Sequence, residues 1–271
     1  MIVLLLLLLT PQADPAARVK ALVAALGEDD PALREAAEKE LLGLGSGARE
    51  ALEAHADHAD AEVRARVRTI LQDVRFLPVE AILLPALVKF GSPSPEQMQA
   101  GAEELLKADR GKVKEALKVC VERGAETLRF RAKQLTQVLW PGGELQVGTV
   151  LGREFYAAGE PVRGLEILLN DTDKDLVLAG TAHTDLVCLQ PAELTLQVRL
   201  FVPALKSFTL KAHSARVLEY DLRRGEDSSG PGKYHLRLTF NSTKDYVEDA
   251  EDRKKVFQAT LTSEGSDFHV R

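Results

Sequence analysis

The sequence has few of the residues from which metal, disulfide and nucleic-acid sites are usually built. It contains 2 cysteines and 6 histidines in 271 residues, too few for a disulfide framework or a cysteine-rich zinc site. Aromatic residues make up 5% of the chain and the formal net charge is -6. Nucleic-acid-binding proteins instead carry basic surfaces, often interleaved with aromatic side chains. We therefore expect no nucleic-acid partner.

Long hydrophobic runs are also scarce. The one clear example, residues 1–9, is too short to cross a bilayer and precedes small and polar residues. This pattern predicts a secretory signal peptide over residues 1–13 and export of the protein, although no basic residue precedes the run and Pro11 is unusual near a cleavage site. The alternatives are an incorrectly assigned start codon and an apolar strand. We expect no transmembrane segment elsewhere.

Apolar residues recur every three or four positions over residues 14–140, as at Val19, Leu22 and Leu26. This spacing predicts amphipathic helices, and glycine-rich breaks divide them into units the size of helical hairpins. Pro85 lies inside such a pattern, where it predicts a kink or a break.

An internal repeat appears in this helical part, where residues 30–37 match residues 60–67 at an offset of 30. In both copies an arginine follows the opening aspartate after four residues, a spacing that favours an ion pair on one helical face. The expected pairs are Asp30 with Arg34 and Asp60 with Arg64. The segment resembles the HEAT-repeat family, well over residues 15–76 and loosely over residues 77–140. The resemblance implies an α-α superhelix with a curved binding surface.

Three arginines, Arg64, Arg68 and Arg75, lie on one side of the second repeat unit. One interpretation is a basic patch that binds an acidic protein partner. The other is a solvated helical face whose charges are partly paired within the chain. We name these three residues as the candidate partner-binding site.

The pattern changes after Trp140, where Pro141 and two glycines end the helices. From there to residue 271 apolar and polar residues alternate, which predicts half-buried strands in an antiparallel β-sandwich. The expected strands cover residues 145–151, 162–169, 176–179, 194–200, 207–212, 216–222, 234–240 and 256–262.

Several turn segments, residues 158–162, 169–171 and 232–234, together with the closing residues 257–263, resemble bacterial Ig-like domains of the intracellular proteinase inhibitor type. The resemblance implies an Ig-like sandwich over residues 141–271, in which Tyr234 serves as a structural tyrosine-corner residue. It supports a fold more than an activity, because such sandwiches host unrelated functions.

Two short clusters imitate metal sites without completing them. Residues 55–58 contain two histidines and an aspartate but no distant ligands for zinc. Residues 171–175 begin like a calcium loop, yet Leu176 stands where glycine is needed. No nucleophile motif is present. We therefore expect no metal, no cofactor and no catalytic residue.

Taken together, these patterns predict a multidomain α-then-β protein, with a HEAT-like domain at residues 14–140 and a sandwich at residues 141–271, each folding separately. The leading hypothesis is a non-catalytic scaffold or adaptor that binds a protein partner through the repeat surface, the sandwich loops or both. Two alternatives remain: a protease inhibitor acting through the Ig-like domain, and a lyase related to HEAT-repeat tetrapyrrole lyases, for which the chain offers no evident reactive thiol.

We predict that the mature exported protein begins near Asp14, because the apolar run has no place in a helical repeat. Intact-mass measurement on protein recovered from outside the cytoplasm should show the loss of residues 1–13. A mass that retains Met1, or a protein confined to the cytoplasm, would contradict this prediction.

Overall fold

The computed structural model describes residues 14–139, 144–190, 197–201, 205–222, 231–246 and 250–271. The expected signal peptide and the expected domain boundary at Trp140–Gly143 lie outside these residues. Helices occupy the chain up to Leu139, and strands predominate from Leu145 onward. The predicted order of an α part followed by a β part is confirmed.

Eight helices form the first part of the described chain. They are α1 (Pro15–Ala25), α2 (Pro31–Leu44), α3 (Arg49–Glu53), α4 (Ala61–Leu71), α5 (Leu84–Gly91), α6 (Pro95–Lys107), α7 (Arg110–Arg123) and α8 (Glu126–Leu139). None of them combines the length and the apolar character that a membrane span requires. Of the kink or break expected at Pro85, the structure has the break, because α5 begins at Leu84 and Pro85 lies in its first turn, where a proline costs no helical hydrogen bond.

The repeated aspartates begin helices and do not form the expected ion pairs. The Asp30 carboxylate accepts a hydrogen bond from the Ala32 backbone N–H at 2.9 Å. Asp60 accepts from Glu62 at 2.8 Å and from Val63 at 3.0 Å, and the bond from Val63 is the main reason that the pKa of Asp60 lies below its usual value. Each carboxylate thus satisfies backbone donors that the first helical turn leaves unpaired.

The repeated arginines reach backwards, away from those aspartates. Arg34 donates through Nη1 to the Glu28 carbonyl at 2.7 Å, and Arg64 donates in the same way to the His58 carbonyl at 2.6 Å. In both units the acceptor lies six residues before the arginine. In each repeat unit, the arginine therefore binds the backbone of the linker that precedes its own helix, and this contact holds the linker against the helix.

The remaining described residues form ten strands, with one short helix among them. The strands are β1 (Leu145–Leu151), β2 (Phe155–Tyr156), β3 (Val162–Asn170), β4 (Leu176–Gln190), β5 (Gln197–Phe201), β6 (Leu205–Leu210), β7 (Ala215–Leu222), β8 (Gly232–Ser242), β9 (Ala259–Thr262) and β10 (Ser266–Val270), and α9 is Ala250–Lys255. Strands β2 and β10 were not expected from the sequence, and β4 is longer than the expected strand at residues 176–179. A two-residue strand such as β2 has no period to detect.

The strands form two sheets in the described part of the chain. One is a three-stranded antiparallel sheet in the order β1-β3-β7, which we call the central sheet. The other, the outer sheet, has the order β2-β10-β8-β4-β5, with β6 also paired to β4 and β9 to β8. Its pairings are antiparallel apart from that between β2 and β10.

The central sheet is buried on both faces. Along β3, Leu165, Ile167 and Leu169 belong to a core shared with the helices. Leu168 points the other way and joins Leu145 in a core shared with the outer sheet. A strand covered on both faces needs apolar residues at consecutive positions, which accounts for the run of leucine and isoleucine in β3. The molecule thus has three layers: helices, central sheet and outer sheet.

The apolar core crosses the sequence boundary between the helical and β parts. One cluster joins buried residues of α5–α8 with residues of β1, β3 and β7. A separate cluster holds buried residues between Val19 and Phe76, whereas Val74 belongs to the first cluster. The two clusters meet near Val74, whereas the change from helix to strand comes after Leu139. The two halves therefore share one cluster beside those of their own, and their independent folding stays a prediction.

We predict that Gly148→Ala destabilises the protein by about 1–3 kcal/mol, the usual range for overpacking. A Cβ at Gly148 would lie 2.0 Å from Val138 Cγ2, so α8 and β1 would have to separate. Chemical denaturation measures the change. Gly47→Ala is the matched control, because a Cβ there meets nothing within 4 Å. Equal stability of the two variants would show that the α8–β1 contact is loose.

Candidate functional site

A cleft with a volume of about 920 Å³ lies where the helices meet the strands of the outer sheet. One wall comes from α7 and α8, and the other from β8, β10 and the loops before β2 and β10. We call it the junction cleft. Because β8 and β10 lie about a hundred or more positions along the chain from α7 and α8, local sequence patterns do not reveal the cleft.

The helical wall of the junction cleft presents unpaired cations. Arg129, Lys133 and Gln137 follow one another at four-residue intervals and are exposed, while the ring of Phe130 is half-buried against the core between the two sheets. Neither Arg129 nor Lys133 has a carboxylate within 4 Å among the residues that the structure describes. These two side chains can bind an anionic group without first breaking an ion pair.

The strand wall holds a network centred on Asp267. His235 Nδ1 lies 2.7 Å from Asp267 Oδ1, and Lys233 Nζ lies 2.7 Å from Asp267 Oδ2. The register of β8 and β10 places Asp267 directly opposite His235. Partial burial favours a higher pKa for Asp267, but the hydrogen bonds from Lys233 and His235 outweigh it and lower the pKa. Asp267 is therefore an anion at neutral pH.

The pairing of His235 with Asp267 has the form of the base and orienting acid of a catalytic triad, but no nucleophile joins it in the described structure. Ser266 lies on the cleft wall, yet its hydroxyl is buried and lies 3.3 Å from the Thr149 hydroxyl. The Cys120 thiol is buried elsewhere, in the core of the helices, and burial raises its pKa to about 12. In the described cleft, His235 and Asp267 therefore form a charged pair without a nucleophile beside them.

Arg131 joins the helices to the central sheet beside the junction cleft. Its side chain is 3% exposed. Nε donates to the Gly152 carbonyl at 2.7 Å, and Nη1 donates to the carbonyls of Phe90 at 2.6 Å and Ser92 at 2.7 Å. Desolvation by burial lowers the pKa of Arg131 to about 10. The guanidinium still carries its charge at neutral pH, so it holds α5, α8 and the turn after β1 together as a buried cation.

Gln134 extends this connection by one helical turn. Its buried side-chain oxygen Oε1 accepts a hydrogen bond from the Leu151 backbone N–H at 2.7 Å. Arg131 and Gln134 therefore bind the backbone of two consecutive residues, Leu151 and Gly152, at the end of β1. Neither residue stood out in the sequence, where a polar side chain on a helix ordinarily indicates a solvated face.

The arginines proposed from the sequence as a partner-binding patch all have bonds within the chain. Arg64 donates to the His58 carbonyl, Arg68 pairs with Asp57 at 2.8 Å, and Arg75 pairs with Asp73 at 2.8 Å. None of the three lines the junction cleft. They occupy the helical repeats, apart from the two walls described above, and their role in binding stays a prediction.

The aspartates of the second cluster that imitates a metal site form ion pairs within the chain. Asp173 pairs with His213 at 2.8 Å and Asp175 with Lys211 at 2.6 Å, which ties the turn after β3 to the loop between β6 and β7. Among the described residues, no group of three or more potential ligands is arranged to hold a metal ion. Tyr234 is buried and its ring stacks on Phe268 at 5.5 Å between centroids, which suits the structural role expected for it.

The chain matches no protein-family model and no curated protein. Among solved structures it is similar to the alkylpurine DNA glycosylase AlkC of Pseudomonas fluorescens bound to DNA with an abasic-site analogue, at 11% identity and a TM-score of 0.30 over 93% of this chain and 63% of that one. It is also similar to the sporulation control protein Spo0M of Bacillus subtilis, at 12% identity and a TM-score of 0.30 over 48% of this chain and 50% of that one.

A third similar structure is the C-terminal domain of wzt, at 10% identity and a TM-score of 0.33 over 49% of this chain and 76% of that one. The chain spans less than two thirds of the AlkC and Spo0M chains that it matches. At these identities and TM-scores, none of the three similarities indicates a function. The expected proteinase-inhibitor type of domain is not among these three.

We predict that Asp267→Asn lowers the stability at pH 7 by less than about 1 kcal/mol, because the carboxylate is 44% exposed and its pairs are screened by solvent. The folded protein holds the pKa of Asp267 below its unfolded value. The stabilisation is therefore present above about pH 4 and is lost as the pH falls through the folded pKa.

The measurement for this prediction is the difference in Tm between the wild type and Asp267→Asn from pH 7 to pH 2, which should shrink towards zero in acid. Asp173→Asn is the control, because Asp173 also pairs with a histidine but is 95% exposed. A gap that stays constant across the pH range would show that the charge of Asp267 does not stabilise the strand wall.

Proposed function

We propose that the protein is a non-catalytic scaffold or adaptor that holds a segment of a protein partner in the junction cleft. The observation that carries the proposal is the pair of exposed cations, Arg129 and Lys133, on a wall that also presents the half-buried ring of Phe130. Such a wall offers an apolar contact and two charge-assisted contacts to one incoming segment.

The size of the cleft agrees with this role. Its volume of about 920 Å³ lies near the top of the range of about 300–1,000 Å³ that is usual for ligand pockets. Such a space takes up several side chains of a peptide segment. Because the walls come from both parts of the chain, a partner bound there would contact the helices and the outer sheet together.

The charges in the cleft favour a polypeptide over a nucleic acid. The cations Arg129 and Lys133 are accompanied by the carboxylates of Glu126, Glu154 and Glu264. A phosphate backbone would meet repulsion from those carboxylates, whereas a polypeptide can place acidic groups beside the cations and basic groups beside the carboxylates. We therefore propose a partner segment of mixed charge.

The proposal differs from the first sequence hypothesis in where binding takes place. Arg64, Arg68 and Arg75 would each have to give up a bond within the chain to contact a partner. Arg129 and Lys133 would not, since neither has an ion-pair partner in the described structure. This difference favours the cleft as the site of capture.

Photo-cross-linking tests the location of binding. A photoreactive residue at Gln137, on the helical wall of the cleft, should cross-link to the partner in an envelope extract. The matched control replaces Gln72, an exposed glutamine in the repeats near Arg75. A cross-link from Gln72 and none from Gln137 would move the site to the repeat surface.

Charge reversal tests the chemistry of binding. We expect Arg129→Glu with Lys133→Glu to weaken capture of the cross-linked partner about tenfold or more, with a nearly unchanged Tm because both side chains are exposed. The control variant reverses Arg64, Arg68 and Arg75. Loss of capture in the control variant alone would refute the cleft proposal, and full capture by both variants would refute both surfaces.

A further inference from the structure

A second cavity, of about 530 Å³, lies next to Arg131 and is distinct from the junction cleft. It is formed where the α5–α6 link and α8 face the turn after β1 and the start of β3. Its lining includes the side chains of Thr127, Arg131, Arg153, Tyr156 and Arg163. Polar donors thus converge from both the helices and the β part of the chain.

Arg131 brings an unused donor group to this cavity. A guanidinium has five N–H groups, and three of them, one on Nε and two on Nη1, donate to the carbonyls of Gly152, Phe90 and Ser92. Nη2 has no acceptor among the described residues, yet it is not one of the fully buried atoms without a partner. Arg131 lines the cavity, and Nη2 is the guanidinium nitrogen that these three bonds leave without an acceptor.

The charge of Arg131 has no counterion in the described structure. Its three acceptors are neutral carbonyls, and no described carboxylate lies within 4 Å of it. A buried charge without an opposite charge is costly. An anion placed at Nη2 would reduce that cost and would accept the remaining hydrogen bonds.

The remaining charges of the cavity also favour an anion. Arg153 and Arg163 add two cations to Arg131, and Glu160, which pairs with Arg153, is the carboxylate among the lining residues. The lining side chains thus bring three cations and one carboxylate, although Arg163 also interacts electrostatically with Glu96. Arg153 is 51% exposed, so it can turn from Glu160 towards a ligand at little cost.

We propose that this cavity, the Arg131 pocket, binds the carboxylate or phosphate group of a small molecule through Arg131 Nη2 and the Arg153 guanidinium. Planar guanidinium groups match the oxygens of these anions in geometry and charge. The volume is that of a site for a small ligand. The inference stands independently of the proposed partner segment, because it concerns a different cavity and a different class of ligand.

The binding test uses the full chain with inorganic phosphate and with succinate as probes, each against sodium chloride at equal ionic strength. A ligand that binds only the folded state raises the Tm in a saturable way. A saturable rise with phosphate alone supports a phosphate ester as the ligand, and one with succinate alone supports an organic acid. A rise with both supports the shared oxyanion chemistry, and no rise above chloride with either probe overturns the proposal.

Variants of the lining residues test whether binding takes place in this pocket. Arg153→Gln should weaken the binding of the active probe about tenfold, through the loss of a charge-assisted contact. Glu160→Gln should strengthen it about threefold, because the competing carboxylate is removed. Isothermal titration calorimetry measures both changes. Opposite effects of two substitutions in one ion pair are not expected from a general loss of structure.

Arg68→Gln is the matched control, because Arg68 also belongs to an exposed ion pair, with Asp57, and is 56% exposed. It should leave the affinity for the probe unchanged. Equal loss of affinity in Arg68→Gln and Arg153→Gln would show diffuse binding to surface cations and would overturn the proposal. Unchanged affinity in both Arg153→Gln and Glu160→Gln would also overturn it.

Discussion

The burial of the Arg131 guanidinium between α8 and three backbone carbonyls is the constraint on which the rest of the architecture depends. Removing a charge from water costs several kcal/mol, and hydrogen bonds to neutral acceptors return only part of that cost. Displacing any one carbonyl would leave a donor of the cation unpaired in an apolar region. The turn after β1, the end of α5 and α8 therefore have to keep their positions together.

Both cavities follow from this arrangement, because they lie on two sides of α8. The junction cleft uses the outward-facing Arg129 and Lys133, whereas the Arg131 pocket uses the residue between them. A helix fixed by a buried cation presents its other side chains in defined positions, which is what a binding site needs. The helical repeats, in contrast, use their arginines to close linkers and to pair with neighbouring carboxylates.

The central sheet connects the position of α8, which Arg131 fixes, to the packing of the other layers. Gly148 lies so close to Val138 that a Cβ would overlap it, and β3 packs against the helices through Leu165 and against the outer sheet through Leu168. A change in the position of α8 would therefore disturb both cores. The proposed binding surfaces consequently depend on the packing of all three layers, and neither the helices nor the strands alone would form them.

The sequence by itself determined the class and order of the elements, because helical and strand periodicity are local properties of residues such as Leu22 and Leu238. The sequence also showed that Asp30 and Asp60 are equivalent positions of a repeat. The structure shows that both aspartates cap helices and do not pair with the arginines that follow them. Only the tertiary structure decided that the core continues past Leu139 and that Arg131 is buried. The physical reason is that burial and charge pairing depend on which distant segments meet. The residues next to Arg131 in the sequence do not indicate that the carbonyls of Phe90, Ser92 and Gly152 surround it in the folded protein.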